Sequence, residues 1–218
     1  TSAPGNNLPQ ARRYLAAVSS SSYGYFGGGY AIGGVSVKDT IDRIDFSNET
    51  TSAPGNNLPQ EKSSLAATSS NSYGYFGGGY APPFLSVKDT IDRIDFSNET
   101  ISAPGNNLTQ ARFGLAAFSS SSYGYFGGGG NPPPTYLNTI DRIDFSNETT
   151  SAPGNNLPQA RRNLAAVSSS SYGYFGGGRT PPSTRVDTVD RIDFSNETTS
   201  APGNNLPQAR SGLAAVSN

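Results

Sequence analysis

The residues that could carry chemistry occur in a repeated charged group. Asp42, Arg43 and Asp45 lie in the stretch IDRIDFSN, which returns three more times with little change. Two carboxylates this close could act as general acid and base, or could bind Ca²⁺ together with an amide oxygen such as that of Asn48. Calcium loops usually need a denser acidic cluster, and identical copies give an acid and a base no different environments. We therefore favour structural ion pairs, in which Arg43 meets Asp45 or an acid of the next unit.

The copies of this group are equivalent in sequence. They are Asp92, Arg93 and Asp95, then Asp141, Arg142 and Asp144, then Asp190, Arg191 and Asp193. The chain has no His and no Cys, so Ser-His-Asp triads, Cys-His dyads and the usual zinc sites cannot be built. The sequence therefore predicts a protein that is not an enzyme, without catalytic residues, a metal site or a cofactor.

Charge and hydropathy exclude two further classes of partner. Fifteen Lys and Arg stand against 16 Asp and Glu, which gives a net charge of -1. The charges form no basic block, so no nucleic-acid partner is expected. No run approaches the length of apolar sequence that spans a bilayer, so no membrane insertion is expected either.

The chain is a tandem repeat. Its units begin at Thr1, Thr51, Ile101, Thr150 and Thr199, and the fifth is partial. A period of about 50 residues is typical of propeller blades or of helical pairs. Frequent Gly and Pro, and the absence of a 3.6-residue apolar period, exclude helical pairs. We predict a single tandem-repeat domain over residues 1–218, and the absence of Met suggests a processed or excerpted piece.

Each unit predicts four antiparallel strands and an all-β fold. In the first unit the strands are expected at Tyr14–Ser20, Tyr23–Gly29, Asp39–Asn48 and Glu49–Gly55. Four strands joined in sequence suit one blade of a β-propeller. Within the phrase SYGYFGGG, Tyr25 and Phe26 lie on opposite faces of their strand, and we expect them to fill the gaps between adjacent blades.

Three phrases, in this order, resemble the kelch repeat: GYFGGGY, IDRIDFSNET and LPQARRYLAAV. The chain departs from the kelch pattern at Lys62, which replaces an Arg, at Thr109, which replaces a Pro, and at Thr50, where kelch blades commonly carry Trp. It is thus similar to a divergent kelch-like blade, and also to DRIDFSN and GYFGGG arrays of tail-fibre-like proteins of aquatic phages. The resemblance implies four-stranded blades, either in a closed ring or as part of a larger propeller or array.

The copies differ mainly in two segments, one after the glycines and one before the innermost strand. In a four-stranded meander both emerge at the same edge, so they should share one face, which we call the variable face. Loops on a rigid scaffold often carry binding residues, although unconstrained drift would also explain the differences. The predicted ligand-binding residues are Arg13, Tyr14, Tyr30, Lys38, Tyr80, Phe84, Lys88, Phe113, Tyr136, Arg162, Arg179 and Arg185.

Five Asn-x-Thr sequences are candidate glycosylation sites. They lie at Asn48, Asn98, Asn107, Asn147 and Asn196. The alternative is that these residues are polar turn residues without glycans.

The sequence favours extracellular recognition over catalysis. We expect a virion fibre or surface adhesin, located outside the cell or on the virion surface, that binds a glycan or a cell-surface protein receptor. The alternative is a structural repeat protein that self-associates into an extracellular fibre.

Overall fold

The structure is a computed structural model that describes residues 6–31, 36–82, 86–132 and 135–216. Every regular element in these ranges is a β-strand. The described part of the chain accordingly offers no helix able to cross a membrane. The predicted all-β class is confirmed.

The strands recur in the same order in every unit, each counted here with the fourth strand of its sheet. The first unit contains β1 (Arg12–Arg13), β2 (Ala16–Ser19), β3 (Tyr23–Gly27), β4 (Tyr30–Ala31), β5 (Ser36–Val37), β6 (Ile41–Asp45) and β7 (Thr51–Ser52). The second contains β8 (Ala66–Ser69), β9 (Tyr73–Gly77), β10 (Tyr80–Ala81), β11 (Ser86–Val87), β12 (Ile91–Asp95) and β13 (Ile101–Ser102). The third contains β14 (Ala116–Ser119), β15 (Tyr123–Gly127), β16 (Gly130–Asn131), β17 (Thr135–Tyr136), β18 (Ile140–Asp144) and β19 (Thr150–Ser151). The fourth contains β20 (Ala165–Ser168), β21 (Tyr172–Gly176), β22 (Arg179–Thr180), β23 (Thr184–Arg185), β24 (Val189–Asp193) and β25 (Thr199–Ser200).

Each unit gives three strands to one antiparallel sheet of four, and the fourth strand, such as β7, is formed by the first residues of the next sequence repeat. The sheets are β2-β3-β6-β7, β8-β9-β12-β13, β14-β15-β18-β19 and β20-β21-β24-β25, so the strands of each sheet follow their order in the chain. A short hairpin, such as β4-β5, follows the second strand of each sheet. The prediction of four-stranded antiparallel units is therefore confirmed.

The third and fourth strands are shorter than the sequence suggests. Strand β6 ends at Asp45, because its carboxylate accepts hydrogen bonds from the backbone N–H and the hydroxyl of Ser47 at 2.8 and 2.6 Å and so starts a turn. The fourth strand begins only at Thr51, after that turn.

The first strands of consecutive sheets lie side by side. Just before each of these inner strands, one residue hydrogen-bonds to its equivalent in the previous unit. Backbone N–H groups of Ser64, Gly114, Asn163 and Gly212 donate to the carbonyls of Tyr14, Ser64, Gly114 and Asn163 over 2.8, 2.8, 2.7 and 2.9 Å. Within the described residues no bond returns from Gly212 to Tyr14, so the run of sheets is not closed.

The repeated aromatic and glycine phrase packs one sheet on the next. Phe76 of the second sheet lies over Gly27 of the first, where an added Cβ would come within 2.7 Å of its ring. Phe126 lies over Gly77 in the same way, and both phenylalanines are fully buried. Glycine is required here because any side chain would collide with the ring of the next unit.

Tyrosine rings pack across the same gap between sheets, because Tyr25 and Gly27 lie two residues apart on one face of β3. Tyr25 is fully buried and stacks on Phe96 of the second sheet, with ring centroids 5.4 Å apart. Tyr75 stacks on Phe145 of the third sheet at 5.5 Å. Neighbouring rings in such geometry add to the stability gained by burial. The expectation that the repeated aromatic residues fill gaps between units is confirmed.

In each unit a buried ion pair joins the segment before the inner strand to the third strand of the sheet. In the third unit Arg112 and Asp141 are both fully buried, with Nη2 and Oδ2 2.5 Å apart. Arg12 pairs with Asp42, and Arg161 with Asp190, in the first and fourth units. Burial lowers the pKa of Arg112 and Arg161, although their acidic partners oppose this.

The second unit uses Lys62 in place of Arg. Its ammonium group lies 2.6 Å from Asp92 and donates to the Thr90 hydroxyl, also over 2.6 Å. Burial lowers the pKa of Lys62 as well. Lysine thus keeps the ion pair without the guanidinium bonds to backbone carbonyls that Arg112 makes.

Candidate binding face

The two variable segments lie beside each other in every unit. In the first unit Arg13 of β1 is paired with Tyr30 of β4. The corresponding bridges are Ser63 with Tyr80, Phe113 with Gly130, and Arg162 with Arg179. The predicted shared edge is therefore present in the structure.

The segments that precede the inner strands of all five copies meet around a cavity of about 480 Å³, which we call the axial cavity. It is lined by Tyr14, Leu15, Ser64, Leu65, Gly114, Leu115, Asn163, Leu164, Arg179, Ser211, Gly212 and Leu213. The leucines keep the wall constant from copy to copy. The residue before each leucine changes, and it is the residue that carries the backbone bonds between units.

The changing position has a left-handed backbone in every copy. Its φ is 59° at Tyr14, 57° at Ser64, 62° at Gly114, 55° at Asn163 and 69° at Gly212. Gly and Asn tolerate this region, whereas Tyr and Ser are strained there. This strain is a reason to ask what Tyr14 does, because its side chain is 59% exposed at the cavity.

The cavity wall combines aromatic and polar side chains. Tyr14 offers an aromatic ring, Asn163 an amide, and Ser64 a hydroxyl. Arg179 is held in place because its Nε donates to the Ser211 hydroxyl over 3.0 Å. A concave surface with apolar walls and a few polar groups is the usual form of a small-ligand site.

Four of the predicted ligand contacts instead pack on one another in pairs between units. Phe113 stacks on Tyr80 with centroids 4.0 Å apart, and the Arg162 guanidinium lies 4.7 Å from the Tyr136 ring. Phe113 and Tyr136 are only 8% and 7% exposed. Burial also raises the pKa of Tyr80, against the opposing charge of Arg162. These rings stabilise the face and offer little surface to a ligand.

The other predicted residues are spread over the same face. Arg13 is exposed and lies 5.2 Å from the ring centroids of both Tyr14 and Tyr30. Lys38 and Lys88 are half-buried, and their backbone N–H groups donate to the carbonyls of Gly29 and Gly79, just before the short hairpins. Arg185 is exposed, opposite Arg179 in the β22-β23 hairpin. Phe84 lies outside the described residues.

No protein-family model and no curated protein matches this chain. Of the predicted blade-like architecture, the structure shows the repeated four-stranded antiparallel sheets.

The repeated charged group links the sheets, and the acid comes from the next unit. Arg43 pairs with Glu99 over 2.7 Å, and the same glutamate accepts a hydrogen bond from the Tyr25 hydroxyl at 3.0 Å. Hydrogen bonding to Glu99 raises the pKa of Arg43. Asp45 instead accepts hydrogen bonds from Ser47, and these bonds lower the pKa of the Asp45 carboxyl. In the described ranges no three acidic side chains cluster as a metal site would require.

These linking glutamates also have a left-handed backbone. The φ angle is 59° at Glu99, 57° at Glu148 and 55° at Glu197. Glu148 pairs with Arg93 and accepts a hydrogen bond from the Tyr75 hydroxyl of the second sheet. Glu197 does the same with Arg142 and Tyr125 of the third sheet. Glutamate is unfavourable in this region, so the contacts between sheets offset a local backbone strain.

The Asn-x-Thr asparagines are exposed turn residues. Asn48 Oδ1 accepts from the backbone N–H and the hydroxyl of Thr50 at 3.0 and 2.6 Å. Asn98, Asn147 and Asn196 make the same pair of bonds. Asn107 is exposed as well. The turn geometry accounts for Asn48, Asn98, Asn147 and Asn196, whereas Asn107 lies outside these turns. The use of all five as glycosylation sites stays a prediction.

The tyrosines that donate to the linking glutamates predict a lower free energy of unfolding at high pH. Burial and the hydrogen bond to a glutamate raise the pKa of Tyr25, Tyr75 and Tyr125 well above the ordinary 10.0. Above that pH the unfolded chain releases phenolic protons that the folded protein keeps, so the free energy of unfolding should fall as the pH rises. Urea unfolding from about pH 8 to about pH 11 measures the slope.

Matched variants identify the source of that slope. Tyr75→Phe should flatten it, whereas Tyr14→Phe, at an exposed ring, should leave it unchanged. An equal slope in all three proteins would contradict the assignment.

Proposed function

We propose that the chain is a non-enzymatic extracellular recognition module that binds a glycan at the axial cavity of its variable face. The carrying observation is that five copies bring their variable positions around one cavity, while the leucines beside them do not change. A constant scaffold with a variable, concave centre suits selective binding.

The chemistry of the cavity favours a carbohydrate over a protein receptor. An exposed tyrosine ring can stack on the apolar face of a pyranose, and the Asn163 amide, the serine hydroxyls and Arg179 can bond to sugar hydroxyls. The volume of about 480 Å³ suits one or two sugar rings better than the broad contact of a protein partner.

The setting we propose is a virion fibre or a surface adhesin. The kelch-like order of phrases and the likeness to tail-fibre arrays support it. A structural fibre is the second candidate, and the stacking of equivalent four-stranded sheets favours it.

Glycan binding should depend on Tyr14. Tyr14→Ala is expected to weaken binding about tenfold, because one stacked ring contributes roughly 1 kcal/mol or more. The variant should fold, since Ser64 and Gly114 occupy the same position in other copies. Screening the protein on an immobilised glycan array finds the sugar, and calorimetry with that sugar measures the loss.

Arg179→Ala should also weaken binding, and Arg185→Ala is its control because Arg185 is exposed on the same hairpin but does not line the cavity. Binding that is unchanged in Tyr14→Ala and Arg179→Ala would contradict the site. An array on which the unaltered protein binds no sugar would favour the structural candidate.

A further inference from the structure

The fourth unit brings three arginines together on the variable face. Arg179 of β22 lies directly opposite Arg185 in the β22-β23 hairpin, and on its other side it forms a bridge with Arg162. The backbone N–H groups of Arg162 and Arg179 donate to each other's carbonyls over 3.1 and 2.8 Å. Residues that lie opposite each other in antiparallel strands project from the same side, with Cβ atoms about 5 Å apart. We call Arg162, Arg179 and Arg185 the arginine row.

This row is particular to the fourth unit. In the first three units the same three places hold at most one charged side chain, so like charges do not face one another there. Those places are occupied by Arg13, Tyr30 and Val37, then by Ser63, Tyr80 and Val87, then by Phe113, Gly130 and Tyr136. Like charges directly opposite each other lower the stability of a sheet. The fold shared by the units therefore does not require the arginine row.

No carboxylate of the described chain neutralises the arginine row. All 16 Asp and Glu residues lie in the described ranges, where ion pairs join seven of them to seven cations. None of these pairs includes a member of the row. Arg162 lies over the rings of Phe113 and Tyr136 instead, and these rings carry no charge. Three positive charges are thus left together on one small area.

Arg179 carries this positive charge to the axial cavity. Among the described residues that line the cavity, it alone is charged. Its Nε donates to the Ser211 hydroxyl over 3.0 Å, and its Nη1 donates to the Ser183 hydroxyl over 3.2 Å. The two hydroxyls orient the guanidinium without neutralising it, and Nη2 makes no hydrogen bond within the described chain. A guanidinium held in this way is suited to bind an oxyanion, because its fixed N–H groups match the geometry of a carboxylate or an ester of sulfuric acid.

We propose that the axial cavity selects an acidic sugar, whose carboxylate or sulfate ester binds Arg179. This inference rests on the glycan site proposed above and names the class of sugar that the site takes. The anion supplies the negative charge that the arginine row lacks, while Tyr14 lines the same cavity for the sugar ring. Arg162 and Arg185 do not line the cavity, so they attract the anion through the field of their charges.

Paired sugars test the need for a negative charge. On a glycan array, oligosaccharides of glucuronic and galacturonic acid are compared with forms whose carboxyl groups are reduced to alcohols, and sulfated oligosaccharides with their desulfated forms. In the pairs that bind, the acidic member should bind about tenfold more tightly, because hydrogen bonds to charged groups are stronger than those between neutral groups. Added NaCl should reduce this preference by screening. The pairs that show it identify the anion as a carboxylate or a sulfate.

Arg179→Gln tests where the anion binds. The variant should bind the acidic member of a pair with nearly the affinity of its neutral form, because glutamine keeps a hydrogen-bond donor and loses the charge. Lys38→Gln is the matched control, since it makes the same change of net charge at a half-buried residue outside the arginine row and the cavity wall. This control should keep the preference of the unaltered protein. Thermal unfolding without a sugar checks that both variants are folded.

The outcomes separate the acidic class from the glycan site itself. If neutral and acidic sugars bind alike, and both depend on Tyr14, the acidic class is wrong and the glycan site stands. An array on which the unaltered protein binds no sugar would overturn both. A preference that survives Arg179→Gln, or that Lys38→Gln lowers as much, would also overturn the inference, because the net charge of the protein and not the arginine row would then attract the anion.

Discussion

Arg112→Ala is expected to lower the free energy of unfolding by about 3–5 kcal/mol. The Arg112 guanidinium and the Asp141 carboxylate are both fully buried, so removing one charge leaves the other uncompensated. The substitution also deprives the carbonyl oxygens of Thr139 and Phe126 of donors at 2.7 and 3.2 Å. Thr109 still donates to Asp141, which limits the loss without restoring a positive charge.

The second unit supplies the control for this substitution. Arg112→Lys should cost much less than Arg112→Ala, because Lys62 serves in the same place with a single ammonium group on Asp92. Urea unfolding followed by circular dichroism measures both values. Equal losses for the two variants would show that the carbonyl bonds, and not the buried charge, determine the stability.

Gly77→Ala is the second substitution with a large expected effect, a loss of about 1–3 kcal/mol. The new methyl group would lie 2.7 Å from the Phe126 ring, which is itself fully buried between the second and third sheets. Either the ring leaves its position or the two sheets separate, and both reduce close packing.

The fourth sheet provides a matched position. Gly176 occupies the same place in the same phrase, but an added methyl group there lies 3.9 Å from its nearest neighbour. Gly176→Ala should therefore change stability little in the single chain. The second half of the test is Gly77→Ala combined with Phe126→Leu, which should recover part of the loss if overcrowding causes it. Similar losses at Gly77 and Gly176 would instead indicate a backbone requirement for glycine.

The architecture could be predicted because the same sequence pattern recurs in every unit. The period follows from comparing the units with one another. The four strands and the shared edge of the variable segments follow from patterns within one unit. The contact of Arg43 was harder to predict, since its partner Glu99 lies 56 positions along the chain. The sequence indicated an acid of the next unit as one option, but the offset between neighbouring sheets decides which acid it is.

The site was predicted less completely, for a related reason. Phe113 and Tyr136 differ from copy to copy as binding residues would, yet packing between units buries them. A signal for the cavity position was present in the sequence. Where Tyr14 stands in the first copy, later copies carry Gly114 and Asn163, and this substitution pattern is typical of a left-handed backbone.

The hydrogen-bonded chain from Tyr14 to Gly212 uses only main-chain atoms. The side chains at these five positions can therefore change in evolution without breaking the bonds that hold the units in register. The left-handed backbone sets one limit, because it disfavours β-branched residues and leaves the small, amide and aromatic types that occur there. The side chains around the cavity can therefore vary by single substitutions, within a limited set of residue types, while the units keep their alignment.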